Sequence, residues 1–253
     1  MRYTDLIFDL YGTLVDIHTE EDETVWSKTA LFFSYFGALY TGETLKTDLE
    51  SEISKQESVL GQQYEVYPDI PIDEVMAELF RRKGIVTNAL ELGFHAAQLF
   101  RIASTEYIRL YAGVLDALQD LRNAGFRLWL LSNAQRTFTA FELQALGLSD
   151  HFNGIYLSSD YRCRKPDARF FQALIEEQQL DPKRCLMIGN DRETDIAGAK
   201  AVGFSTLYMH TNLTPAHQKP ANLNRLPGSS NRRLHFEYEG ANWSELSVRI
   251  RSM

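Results

Sequence analysis

The sequence predicts an α/β protein built on a doubly wound parallel sheet, with a helical domain inserted into it. Short apolar segments that end in polar residues alternate along the chain with helical patterns. One long stretch contains helical patterns only and interrupts the alternation once. Buried parallel strands are apolar on both faces and are joined by helices, so the alternation indicates a parallel sheet.

The first predicted strand is the apolar run at residues 6–8, which ends at Asp9 and a turn containing Gly12. Three later segments share this pattern: residues 127–131, 154–157 and 185–188. The helical patterns that precede them cover residues 114–123, 137–145 and 168–179. Strands joined by helices in this way imply right-handed crossovers and a doubly wound sheet. Near the C-terminus, residues 234–239 alternate like an edge strand and residues 243–250 have the pattern of a closing helix.

A helical domain is predicted between the first and second strands, over residues 17–110. Its four helices are expected at residues 24–38, 43–59, 72–83 and 89–104, separated by breakers that include Gly42 and Gly61. Residues 1–16 and 111–253 are then the core domain that contains the sheet. The aromatic cluster at residues 31–36 is expected to pack in the helix bundle, with a substrate pocket as the alternative.

Composition argues against several kinds of function. The 253 residues carry a net charge of −8 with dispersed Lys and Arg, so no basic stripe indicates nucleic acid. No apolar stretch is long enough to cross a bilayer. Two cysteines and the lack of a recognisable signal peptide predict a cytoplasmic protein, and Cys and His are too few at ligand spacing for a zinc site. The expected partner is a small molecule, and no pattern indicates the oligomeric state.

Chemically active side chains follow the predicted strands. Asp9 ends the first strand, Ser132 the second, and Lys165 lies in the loop after the third. Asp191 and Asp195 follow the fourth strand. Because the carboxyl ends of the strands of a doubly wound sheet converge on one crevice, we expect these residues to form one site.

These segments resemble the four motifs of the haloacid dehalogenase (HAD) superfamily. DLIFDLYGTLVD resembles the first motif, LLSNAQ the second, RKPD the third and IGNDRETDIAGAKAVGF the fourth. The helical insert directly after the first motif resembles the cap domain of one HAD subgroup. The resemblance covers the chain and implies a hydrolase with a HAD-type Rossmann-like core and an inserted helical cap.

The resemblance also implies roles for single residues. Asp9 is implied as a carboxylate nucleophile, Ser132 as a substrate-contacting hydroxyl and Lys165 as a charge-compensating ammonium. The implied metal ligands are Asp9, Asp191, Asp195 and the backbone carbonyl of Tyr11.

The chemistry of a carboxylate nucleophile explains this set. Attack on a phosphoryl group brings two anions together, so the site needs cations and hydrogen-bond donors. The predicted substrate-binding residues are Tyr11, Gly12, Thr13, Ser132, Asn133 and Lys165. Gly12 permits a tight first turn.

Charge balance predicts a metal ion. Three acids, Asp9, Asp191 and Asp195, face one cation from Lys165, which would raise carboxylate pKa values and neutralise the nucleophile. Mg²⁺ restores the balance and prefers oxygen ligands. The alternative role of Asp191 is to cap the helix that follows it.

Two positions depart from the pattern of HAD phosphatases. Tyr11 stands where most have a second Asp that serves as general acid and base, and a phenol with a pKa of ~10 is a poor base at neutral pH. DLYGT in this respect resembles the haloacid dehalogenases, whose halide leaving group needs no proton. Asn190 stands where many members have the first acid of the fourth motif.

Other features argue against a dehalogenase. The dehalogenases work without a metal, whereas the metal-type acids are retained here. They also grip their substrate with a cap arginine, and no arginine occurs between Ile17 and Phe80. We expect the later arginines on solvated faces; these are Arg81, Arg82, Arg101 and Arg109.

Three functions are therefore compatible with the sequence. The first is a Mg²⁺-dependent phosphatase for a small phosphorylated metabolite, limited by Tyr11 to slow turnover or to good leaving groups. The second is a metal-independent 2-haloacid dehalogenase with an aspartyl-ester intermediate, and the third is a catalytically weak HAD-fold binding protein. Substrate specificity is expected in the cap and its loops, where single residues have no readable code.

Overall fold

A computed structural model describes residues 3–63, 67–218 and 235–253. The strands are β1 (Asp5–Phe8), β2 (Val15–Thr19), β3 (Thr105–Leu110), β4 (Arg127–Ser132), β5 (Gly154–Leu157), β6 (Cys185–Gly189), β7 (Ser205–His210) and β8 (His235–Glu239). The helices are α1 (Glu23–Tyr35), α2 (Gly42–Gln63), α3 (Ile72–Arg82), α4 (Ala89–Ser104), α5 (Val114–Asn123), α6 (Arg136–Ala145), α7 (Ser158–Tyr161), α8 (Ala168–Gln178), α9 (Ala197–Val202) and α10 (Trp243–Ser252). None of these helices is long and apolar enough to cross a membrane.

Six parallel strands form the main sheet in the order β5-β4-β1-β6-β7-β8. The central strand β1 lies between β4 and β6, and its last residue, Phe8, is in register with Leu130 and Ile188. This register aligns the carboxyl ends of three strands. The residues that follow Phe8 and Ile188, and those at the end of β4, therefore meet at one edge of the sheet.

Hydrophobic side chains cover both faces of the sheet, as in a doubly wound fold. Leu6 and Phe8 of β1 belong to one core cluster, which also contains Trp243 of α10. Ile7 points to the opposite face and packs in a second cluster with Phe170 and other residues. This alternation is the period of two that a strand imposes on its side chains. The predicted doubly wound parallel sheet is confirmed.

The helical insert, α1 to α4, has a hydrophobic cluster of its own. Its centre is a stacked pair of rings, Phe33 and Phe80, with centroids 4.0 Å apart. The four helices lie close to their predicted positions, although α1 ends at Tyr35 and α2 runs from Gly42 through Gly61 to Gln63, so neither glycine separates helices as predicted. The aromatic cluster of α1 is divided, because Phe33 is buried while Leu31 and Tyr35 are 70% and 84% exposed.

An antiparallel pair formed by β2 and β3 joins the insert to the sheet and was not predicted. Strand β2 spans the predicted boundary at residues 16/17, and β3 ends at the other predicted boundary, 110/111. Its strands are half-exposed and lack the apolar run that identified β1, so the sequence carried no signal for them. The division into residues 1–16 and 111–253 on one side and 17–110 on the other stays a prediction.

The C-terminal predictions are confirmed, since β8 forms the edge of the sheet and α10 follows it. Strand β7 lies beside β6 and was missed, because Ser205 and Thr206 interrupt its apolar pattern. Before the gap in the described residues, a short 3-10 turn at Ala216–Gln218 buries Gln218.

Candidate active site

Lys165 is the centre of a buried ion cluster beside the end of β1. Its ammonium nitrogen lies 2.8 Å from Asp9 Oδ1, 2.6 Å from Asp195 Oδ1 and 2.8 Å from the carbonyl oxygen of Leu131. The three acceptors match the three N–H donors of an ammonium group. The side chain is 1% exposed, so every donor is used inside the protein. The predicted convergence of Asp9, Lys165 and Asp195 is present in the structure.

The charges of this cluster shift the pKa values of its members. Burial acts to lower the pKa of Lys165, but Asp195 and Asp9 outweigh it and raise that pKa above its usual value. Burial raises the pKa of Asp195 to about 7, with Lys165 acting against burial and Asp9 adding to it. The cluster holds two carboxylates and one ammonium, so a further positive charge beside Asp9 would be stabilised.

Hydroxyl groups approach both oxygens of Asp9. Ser132 Oγ donates to Asp9 Oδ1 at 3.3 Å, and Thr13 Oγ1 lies 3.2 Å from Asp9 Oδ2. Thr13 Oγ1 is also 3.2 Å from Asn190 Oδ1. Gly12 has a φ of 83°, and a Cβ there would lie 2.2 Å from the Asn190 side chain, so glycine is needed for both its backbone and its size.

Asn133 holds the loop that carries Lys165. Its side-chain Oδ1 accepts from the Lys165 backbone N–H at 2.7 Å, and its Nδ2 donates to the Lys165 carbonyl at 3.0 Å. The side-chain amide of Asn133 therefore satisfies both the backbone donor and the backbone acceptor of Lys165. Asn133 also lines the cleft above Asp9, and its contact with substrate stays a prediction.

Asp191 and Asp195 contact the protein differently from each other. Asp191 Oδ1 accepts from the backbone N–H groups of Glu193 at 2.8 Å and Thr194 at 3.0 Å, which is the capping role considered from the sequence. Asp195 Oδ2 accepts from the Asp191 N–H at 3.0 Å, while its Oδ1 is bound to Lys165. Within the described ranges, Asp9, Asp191 and Asp195 do not bring one oxygen each to within 4.8 Å of one another. Their joint role as metal ligands stays a prediction.

A cleft of about 250 Å³ opens above Asp9, and it is lined by Tyr11, Ser132, Asn133, Lys165, Asn190, Asp191, Thr194, Asp195, Leu213 and Pro215. The acidic and amide groups on this lining offer oxygen atoms, and none of these residues is His or Cys. Oxygen donors of this kind fit Mg²⁺ and disfavour zinc or copper. Asp9, Asn190, Asp191 and the Tyr11 carbonyl are therefore a chemically suitable donor set.

The hydroxyl of Tyr11 is bound to helix α6. It donates a short hydrogen bond to Glu142 Oε2 and lies 2.9 Å from Thr139 Oγ1. Burial, together with the charge of Glu142, raises the pKa of the phenol well above its ordinary value. Tyr11 therefore stays protonated at neutral pH, and its proton lies on the bond to Glu142.

Arg101 does not occupy the solvated face that the sequence led us to expect. It lies in the last turn of α4, and its Nε and Nη2 donate to Glu142 Oε1 at 2.6 Å and Oε2 at 3.2 Å. Its guanidinium carbon lies 5.4 Å from the centre of the Tyr11 ring. The side chains of Arg101 and Glu142 are only 17% and 14% exposed. The helical insert thus reaches the candidate site through an ion pair.

Sequence reasoning missed Glu142 and Gln218. Gln218 Oε1 accepts from the Arg192 N–H at 2.6 Å, and its Nε2 donates to Asp191 Oδ1 at 3.2 Å. Both residues lie in segments whose patterns are those of an ordinary helix and a polar loop. Only their distance in space from Tyr11 and Asp191 identifies them.

Comparisons with known proteins give a family match and several relatives. A family model described as haloacid dehalogenase-like hydrolase matches residues 6–203. The pyrimidine 5'-nucleotidase PynA of Streptococcus pneumoniae is 25% identical over 235 residues, which cover 86% of this chain and 91% of that protein. A phosphoglycolate phosphatase of Mesorhizobium japonicum is 34% identical over 109 residues, or 43% of this chain, and the match spans about half of that relative, 48%.

Solved structures share the fold. The crystal structure of a 2-haloacid dehalogenase from Pseudomonas syringae pv. Tomato aligns with a TM-score of 0.64 and 20% identity, over 99% of this chain and 100% of that one. The family match covers well over half of the chain, and all four of its motif segments meet at the cleft above Asp9. This protein therefore belongs to the haloacid dehalogenase-like hydrolases.

Proposed function

We propose that this hydrolase is a Mg²⁺-dependent phosphatase that acts on a small phosphorylated metabolite through an aspartyl-phosphate intermediate. The observation that carries the proposal is the buried contact of 2.8 Å between Asp9 and Lys165 at the base of an oxygen-lined cleft. Relatives named as phosphoglycolate phosphatase and glyceraldehyde 3-phosphate phosphatase support a phosphorylated substrate.

The reaction begins with attack by an Asp9 carboxylate oxygen on phosphorus. A new O–P bond forms, and the bond between phosphorus and the leaving oxygen breaks with its electron pair on that oxygen. Lys165 and the hydroxyl of Ser132 lie beside Asp9 and balance the charge of the phosphoryl oxygens. Water then hydrolyses the aspartyl phosphate, which releases phosphate and restores the Asp9 carboxylate.

Asp9, Asp191, the amide oxygen of Asn190 and the Tyr11 carbonyl would hold the metal ion. When bound, Mg²⁺ supplies positive charge that neutralises the phosphoryl oxygens and aligns them for attack. Asp195 Oδ1 accepts a hydrogen bond from the Lys165 ammonium at 2.6 Å, while the same ammonium also donates to Asp9. In this proposal Asp195 stabilises the lysine, and a direct bond from Asp195 to the metal remains a prediction.

This site differs from that of a phosphatase with a second aspartate in the source of the proton for the leaving group. Tyr11 occupies that position, and its hydroxyl proton is directed at Glu142. The leaving oxygen therefore departs without a proton from residue 11, which favours esters whose leaving groups are stable anions.

A substrate panel tests the proposal. Purified protein is incubated with phosphorylated metabolites, aryl and acyl phosphates and 2-haloacids, each with Mg²⁺ or with EDTA, and phosphate and halide are measured. We expect phosphate release that requires Mg²⁺ and that Asp9→Asn abolishes. Halide release that persists in EDTA, without phosphate release from any ester, would contradict the phosphatase proposal.

A 2-haloacid dehalogenase is the second candidate, and the contacts of Tyr11 favour it. A halide leaves without a proton, so the hydrogen bond from the Tyr11 hydroxyl to Glu142 would not slow departure of the leaving group in such an enzyme. Asn190 in place of an acid also lowers the negative charge offered to a metal. In this case Asp9 attacks carbon and forms an ester, which water hydrolyses. Binding of either substrate class without turnover would instead indicate a binding protein.

A further inference from the structure

The contacts of Tyr11 involve a partly buried chain of three polar side chains from three parts of the fold. Tyr11 lies in the loop after β1, Glu142 in α6 and Arg101 in α4 of the helical insert. Glu142 receives hydrogen bonds from both of the others, through Oε2 from the phenol and through both oxygens from the guanidinium. The acid is therefore fixed from two sides, and it fixes the phenol in turn.

From this geometry we infer that Glu142 is a positioning residue that sets leaving-group specificity by holding the hydroxyl proton of Tyr11 away from the reacting phosphate ester. The inference rests on the proposed phosphatase function. Tyr11 lines the cleft together with Asp9, and its hydroxyl proton is bonded to Glu142. The enzyme thus carries an acid at residue 11 and withholds it from the leaving oxygen.

Arg101 strengthens the hydrogen bond between the Tyr11 hydroxyl and Glu142. The guanidinium of Arg101 donates to both oxygens of Glu142, whose side chain is only 14% exposed, and this two-point contact fixes the carboxylate beside the phenol. A charged acceptor binds a phenol proton more strongly than a neutral one. Because Arg101 belongs to the helical insert, the hold on Tyr11 also depends on contact between the insert and α6.

Removal of the acceptor should release the phenol. In Glu142→Met, the Tyr11 hydroxyl loses its carboxylate acceptor and keeps Arg101 and the Thr139 hydroxyl, 2.9 Å away, as neighbours, so its proton is no longer held by an acid and can be donated to a leaving oxygen. General acids typically contribute 10²- to 10⁴-fold, and for a phenol not evolved for the task we expect a rise of about tenfold in the ratio of kcat/KM for alkyl over aryl phosphates. The ratio cancels losses of active protein, which a merely structural role would produce.

A double-mutant cycle provides the test. In a Tyr11→Phe background, Glu142→Met should leave the alkyl-to-aryl ratio unchanged, because no phenol proton remains to be released. Glu142→Gln keeps an oxygen acceptor and should retain the ratio of the unmutated enzyme. Glu74→Gln is the matched control, since it breaks another ion pair between the insert and the sheet domain, Glu74 with Arg162 at 2.7 Å, which does not include Tyr11. An unchanged ratio in Glu142→Met, or the same rise with and without the phenol, would overturn the inference.

A second measurement separates this inference from the proposed function. Unfolding free energies of Tyr11→Phe, Glu142→Met and the double variant give the coupling between the two side chains without any assay of turnover. We expect a clear coupling, and none between Tyr11→Phe and Glu74→Gln. Absence of coupling overturns the inference alone. Clear coupling in a protein that hydrolyses no phosphate ester overturns the phosphatase proposal and the specificity role with it.

Discussion

Lys165 Nζ lies 2.6 Å from Asp195 Oδ1 and 2.8 Å from Asp9 Oδ1, so this lysine is shared by two buried acids. The contact joins the loop before α8 to the segment after β6. The cluster explains why an ammonium can be buried at this position, since its positive charge lies beside carboxylates and each of its three N–H donors has an acceptor.

Loss of the lysine should unfold the protein more easily. Lys165→Met leaves Asp9 and Asp195 buried without their cation, and we expect the unfolding free energy to fall by about 3 to 5 kcal/mol. Chemical denaturation measures the change. Addition of Asp195→Asn to this variant should recover at least about 1 kcal/mol, because one of the unpaired charges is removed. A double variant that is less stable than Lys165→Met would contradict the ion cluster.

Asp9→Asn should abolish turnover and leave the fold intact. The amide is nearly isosteric with the carboxylate but cannot form the covalent intermediate, so we expect a loss of at least about a hundredfold in kcat. Circular dichroism checks the fold, and mass spectrometry checks that the asparagine has not been deamidated. Near-normal activity in such a sample would show that Asp9 is not the nucleophile.

Mg²⁺ should stabilise the folded protein through Asp191. An ion that binds only the folded state at a hundred times its Kd adds about 2.7 kcal/mol, which raises Tm. Asp191→Ala should remove most of this increase. Glu193→Ala is the control, because Glu193 is a neighbouring acid that does not line the cleft. Equal Mg²⁺ effects in both variants would exclude Asp191 as a ligand.

Gln218→Ala should weaken Mg²⁺ binding without removing a ligand. Gln218 bonds both Asp191 Oδ1 and the next backbone N–H, and loss of such a supporting contact typically costs at least about tenfold in metal affinity. Titration calorimetry measures the Kd. An unchanged Kd in a folded variant would show that Asp191 needs no support from Gln218.

The rate of the unmutated enzyme should depend steeply on the leaving group. With the Tyr11 proton directed at Glu142, the leaving oxygen carries its developing charge alone, so aryl and acyl phosphates should react faster than alkyl phosphates. A series of esters with graded leaving-group pKa values measures the slope. A flat plot, with chemistry shown to be rate-limiting, would mean that another group supplies the proton.

The sequence by itself predicted the helices of the insert, most strands of the main sheet and the residues at their ends. Apolar runs such as residues 6–8 form strands because both of their faces are buried. Asp9 was predicted as a site residue because it comes directly after one of these strands. These are local properties, since periodicity and turn residues act over a few positions. The helices of the insert were predictable for the same reason.

Only the tertiary structure decided which side chains meet. The pairing of β2 with β3, the contact of Arg101 with Glu142 and the bonds of Gln218 join segments that are distant in the chain. In the sequence, Arg101 and Glu142 each have the pattern of an ordinary surface residue on an amphipathic helix. Packing of α4 on α6 buries them together, and that packing depends on the whole core, which no local pattern encodes. For this reason Asp9 could be proposed as the nucleophile from the sequence, whereas the partners of Tyr11 could not be predicted.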